Sequence, residues 1–109
     1  MSDSANGIPL ACSMNAFDDG QRLRYAAIRL EMGTLIRGVD ELENGYTLRF
    51  DADGSLFLLL AEFVTLEHVC CPFLQFRLEV GWQEALILLT LMGGDGVKAF
   101  LREELGQKS

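Results

Sequence analysis

A chain of 109 residues has the length of one domain, and 50% hydrophobic residues with only two prolines exclude a disordered segment as the main state. A net charge of −7 without a Lys/Arg cluster excludes a phosphate-binding surface for nucleic acid and predicts repulsion from anionic membranes. No apolar run is long or pure enough to span a bilayer.

Residues 1–14 are small and polar apart from Ile8, Pro9 and Leu10, and predict a flexible N-terminal arm carrying Cys12. The segment MSDSANGIPLAC has an acid where a secretory signal has bases and lacks the apolar core of one. Three cysteines, an odd number, suit a reducing cytoplasm better than a disulfide framework. Residues 15–109 are expected to form a single α+β domain.

Asn15 followed by Asp18 opens a helix whose apolar stripe is predicted at Leu23, Ala26, Ala27 and Leu30, with Gly33 as its stop. Arg22, Arg24 and Arg29 fall mainly outside that stripe, as a solvated face. Thr34 to Asp51 predicts a β-hairpin around Glu43-Asn44-Gly45. A three-residue loop with Gly45 left-handed aligns Ile36 and Leu42 with Tyr46, Leu48 and Phe50, and leaves Asp40 as the awkward inward residue.

The run Asp51-Ala52-Asp53-Gly54-Ser55 opens like a calcium loop, and Glu62 stands at its twelfth position. Leu56 occupies the place that must be glycine, so the run predicts a turn with Asp53 or Ser55 capping the next helix. That helix extends to Cys70, with Leu56, Leu59, Leu60, Phe63 and Leu66 as its main stripe and Glu62 and Thr65 on its wet side. After Pro72, Leu74, Phe76, Leu78 and Val80 alternate with Gln75, Arg77 and Glu79 as a half-buried strand. Gly81 to Gln83 turns the chain into Ala85 to Met92, a strand apolar on both faces. Gly93 to Gly96 ends it, Asp95 is expected to cap the last helix, and Val97, Phe100, Leu101 and Leu105 form the inward side of that helix. The order α, β, β, α, β, β, α predicts an α+β domain with a four-stranded, mostly antiparallel sheet packed with helices.

The chemistry is concentrated at the end of the second helix, where Glu67, His68, Cys70 and Cys71 fall within five residues. Pro72 disfavours helical geometry in the residue before it, so Cys70 closes the last turn while Cys71 leaves the helix. The helical spacing sets Glu67 beside Cys70 and His68 near Cys71. Adjacent Cα atoms lie about 3.8 Å apart, too close for the usual disulfide at roughly 4.4–6.8 Å, so these cysteines, if oxidised, pair elsewhere.

Soft thiolates point to a thiophilic metal or metalloid ion at Cys70 and Cys71, with Cys12 or His68 completing the site. Zinc is disfavoured because adjacent cysteines lack its usual two-to-four-residue spacing, and thiol redox catalysis because no Cys-x-x-Cys is present. The competing reading makes both cysteines core residues of a non-enzymatic, homodimeric structural module. Dimerisation is expected from the two-sided apolar character of Ala85 to Met92 and of the central helix. No catalytic residue set is predicted: GGDGVK lacks the Walker spacing, and no serine elbow accompanies His68.

The segments GYTLRF, EHVCCPFLQFRLEV and GGDGVKAFLREEL resemble a small family of uncharacterised bacterial proteins over roughly residues 35 to 105, most specifically at Cys70-Cys71-Pro72-Phe73. The resemblance implies a bacterial, cytoplasmic, single-domain protein in which the cysteine pair matters. The family pattern has a proline and a larger loop where this chain has Gly81-Trp82-Gln83.

Overall fold

Asp18 starts the first helix with a reciprocal cap: its carboxylate accepts the Gln21 N–H at 2.7 Å, and Gln21 Oε1 accepts the Asp18 N–H at 3.0 Å. The computed structural model describes residues 14–105. Cys12 and almost all of the arm predicted over 1–14 lie outside the described residues. Helix α1 (Asp19–Leu35) runs through Gly33 and buries Tyr25, Ile28 and Met32. The stripe predicted to face the core faces water instead: Ala26 and Ala27 are exposed, and Leu23 and Leu30 are each 75% exposed. Two apolar stripes lie on opposite sides of this helix. The one with the larger side chains turns inward because it removes more apolar surface from water.

Strands β1 (Gly38–Glu41) and β2 (Gly45–Asp51) pair with Val39 opposite Leu48, Asp40 opposite Thr47 and Glu41 opposite Tyr46. The Leu42 N–H bonds to the Gly45 carbonyl at 2.8 Å, which leaves Glu43-Asn44 as the turn. The predicted register is therefore one residue off. Val39 takes the inward position expected for Asp40, and Asp40 faces out to accept from Arg49 Nε at 2.8 Å. The slip turns Asp40 outward and leaves Glu41 as the acid on the Tyr46 side, where it stays exposed and pairs with Lys98. Nor is Gly45 left-handed; Gly96 is the glycine with positive φ among the described residues. What Gly45 provides is close approach, since a Cβ there would press on the Leu91 backbone and lie 2.7 Å from Met92 Cα.

Helix α2 (Gly54–Cys70) begins where Asp53 Oδ1 accepts from the Ser55 and Leu56 N–H groups, and it buries the predicted stripe from Leu56 to Leu66. Strands β3 (Gln75–Gly81) and β4 (Leu86–Met92) complete an antiparallel four-stranded sheet in the order β1-β2-β4-β3. Val39, Leu48, Leu89 and Leu78 form one row of partners across all four strands. That row lies on the face covered by the helices, within a core that includes Phe50, Leu60, Phe63 and Leu101. On the opposite face Leu88 stands in register between Arg49 and Glu79 and is half-buried, so β4 is central and half-covered on its second side.

The β3–β4 turn occupies Trp82–Ala85, one residue longer than predicted, with Ala85 left-handed at φ 57°. Helix α3 (Val97–Glu104) buries Val97 and Leu101. Its N-cap is Gly96 at φ 85°, with no side-chain bond, so the predicted Asp95 cap does not form. The left-handed glycine swings the chain into the helix and takes the position a capping side chain would have used. No helix among the described residues is long and apolar enough to cross a membrane.

Candidate metal centre

The break at Pro72 places the two cysteines. Cys70 is the last residue of α2, and Cys71 leaves helical geometry at φ −131°, ψ 69° while its N–H bonds to the Glu67 carbonyl at 2.7 Å. Both side chains are fully buried. Their sulfurs lie 3.6 Å apart, and Cys70 Sγ is 3.9 Å from Glu67 Oε1. Among the described residues, Glu67, Cys70 and Cys71 form a group whose ligand atoms all lie within 4.8 Å of one another.

The surroundings oppose ionisation of Glu67 and of the Cys70 thiol. Burial raises the Glu67 pKa from the ordinary carboxylate value, against the opposing pull of the Tyr25 hydroxyl, which donates to Glu67 Oε1 at 2.5 Å. Burial, followed by the Glu67 charge, pushes the Cys70 thiol up to about 11. Tyr25 is itself raised, first by burial and then by Glu67. The phenol ring lies between Phe17, at 5.2 Å, and Phe63, stacked at 6.3 Å. Low polarity around Glu67 and Cys70 thus disfavours charge on either.

A cavity of about 130 Å³ reaches Glu67 from the side of α1 and α3, lined also by Met32, Leu48, Phe63 and Leu101. Arg29 and Glu104 stand on its wall, joined by a 3.4 Å ion pair. Glu67 is the residue shared by cavity and cluster.

No protein family, curated protein or solved structure matches the chain. Two thiolates bound to one tetrahedral ion at about 2.3 Å stand roughly 3.7 Å apart. The 3.6 Å between the Cys70 and Cys71 sulfurs is close to that spacing.

The two sulfurs differ in state. Cys70 is a free thiol, whereas Cys71 is disulfide-bonded. As expected for neighbours in sequence, the two are not bonded to each other. The Cys71 sulfur is available as a ligand only once that disulfide is reduced, because metal binding needs the thiolate. Of the other predicted ligands, His68 is exposed and outside the cluster, and Cys12 lies outside the described residues. Glu67, which the helical spacing placed beside Cys70 but which was not among the predicted ligands, is the third candidate donor. The i, i+3 spacing to Cys70 was the available signal; the burial of Glu67 was not visible in the sequence.

Proposed function

We propose that the protein, in its reduced form, binds a thiophilic metal or metalloid ion such as copper(I), mercury(II) or arsenic(III) through Cys70 and Cys71. The observation that supports this reading is the pair of sulfurs at ligand spacing with a buried carboxylate oxygen beside them. Glu67 supplies the oxygen donor, and the Tyr25 hydroxyl fixes its orientation, as outer partners of metal ligands commonly do. The cavity lies against Glu67, on whose side space for a ligand is open. Any third sulfur has to come from Cys12, the remaining cysteine of the chain. A reducing compartment suits this function, since it keeps the Cys71 sulfur available.

Titration of the fully reduced protein with each ion, beside a Cys70→Ser/Cys71→Ser variant, tests the reading. One ion per chain, with a rise in thermal stability confined to the wild type, is expected. Equal weak binding by both proteins would remove it. The complete burial of both cysteines then favours the second reading, a non-enzymatic module in which they fill the joint between α2 and β3.

A further inference from the structure

The sheet has two edges, and they differ. On β1 the exposed charges are satisfied within the chain: Asp40 pairs with Arg49 and Glu41 with Lys98. β3 is the longer edge, seven residues against four, and among the described residues Arg77 and Glu79 take part in no ion pair. Both are exposed and point to the same face, two residues apart. On the other face Phe76, Leu78 and Val80 are only half-buried. An edge of this kind offers unpaired backbone N–H and C=O groups to another strand.

We infer that β3 pairs antiparallel with β3 of a second copy of this chain, making a continuous eight-stranded sheet across a two-fold axis at Leu78. The charge pattern selects this occupant and this register. With Leu78 opposite Leu78 of the partner subunit, Arg77 faces Glu79 of the partner subunit and Glu79 faces Arg77 of the partner subunit, so one strand complements itself. The same register sets Phe76 against Val80 of the partner subunit, which extends the apolar face of the sheet across the junction. Trp82, 63% exposed just beyond the strand end, falls opposite Leu74 of the partner subunit and closes each end of the contact. The outward stripe of α1 is more exposed, but it offers no comparable code: Arg22, Arg24 and Arg29 beside it are already paired with Asp19, Glu62 and Glu104.

Light scattering of the full chain at micromolar concentration is the test. The wild type is expected at twice the 12.1 kDa chain mass. Arg77→Glu and Glu79→Arg, each placing like charges opposite one another twice, are expected to shift the mass to that of one chain. Combining the two reverses both charges and is expected to restore the dimer, an outcome that generic surface damage cannot produce. Circular dichroism confirms that each variant keeps its fold. A monodisperse wild-type monomer overturns the inference, and so do dimeric single variants or a monomeric double variant. Loss of the dimer in Leu23→Glu/Leu30→Glu, with β3 unchanged, overturns it in favour of α1.

Discussion

The Tyr25 hydroxyl donates to Glu67 Oε1 at 2.5 Å, joining α1 to α2 through a buried bond between residues 42 positions apart. Among the described residues no buried side-chain nitrogen or oxygen lacks a partner, and this bond is why Glu67 is not an exception. Tyr25→Phe keeps the ring between Phe17 and Phe63 but leaves a buried carboxyl without its donor. A loss of about 1–3 kcal/mol is expected in urea denaturation. A change within error would mean that Glu67 finds water or another donor.

Glu67 also sets a pH dependence. Its pKa is raised in the folded protein, so folding favours its protonated form. Its contribution to stability is complete below the ordinary carboxylate range and is lost as pH rises through the folded value. Cys70, pushed up to about 11, acts with the same sign in the alkaline range. Asp53, Glu41 and Glu62 have lowered values and act oppositely, losing their contribution as pH falls. Glu67→Gln keeps an acceptor for Tyr25 and removes the titration. The denaturation midpoint of wild type minus that of Glu67→Gln should therefore fall steadily from acid toward neutral pH; a flat difference would show that Glu67 ionises freely.

Binding of a thiophilic ion must displace the Cys70 proton. Below the thiol value of about 11, affinity should weaken about tenfold for each proton displaced per unit fall in pH. Titration in weakly buffered solution reads the released protons directly. Uptake without proton release would place the ion elsewhere.

Two backbone positions carry opposite expectations. Gly45→Ala sets a methyl group against the backbone of Leu91 and Met92, atoms that cannot rotate away, and should lower thermal stability clearly. Ala85 holds a left-handed conformation at φ 57°, which costs a non-glycine residue roughly 1 kcal/mol. Ala85→Gly should recover most of that, less the added freedom of the unfolded chain. Scanning calorimetry of both variants, compared with wild type, decides whether Gly45 matters through space and Ala85 through torsion.

Element order, the α2 stripe, the Asp53 cap and the release of Cys71 from the helix were all legible, because periodicity and proline chemistry are local. The errors share one cause. The α1 stripe, the hairpin register and the role of Gly45 each depend on which side of an element meets its neighbour in space. Leu23 and Tyr25 each belong to an apolar stripe of the same helix; the larger side chains of the Tyr25 stripe and the buried acceptor on α2 together favour burying the tyrosine. Val39 and Asp40 could each have faced inward from a different turn. At the site, the cysteine pair was visible as chemistry, but the conversion of Glu67 from an exposed acid to a buried donor required the packing of α1 over α2.

The state of the Cys71 sulfur couples two kinds of chemistry. One sulfur cannot hold a disulfide partner and an ion together, so oxidant and ion compete for it. An ion that binds only the reduced chain draws the population toward that form, and oxidation expels the ion. Occupancy of such a site would then register the ratio of reductant to oxidant around the protein as well as the supply of the ion. With Cys70 alone remaining on the oxidised side, the fall in affinity on oxidation would approach loss of one of two sulfur ligands, a graded detector built from adjacent residues at a helix end.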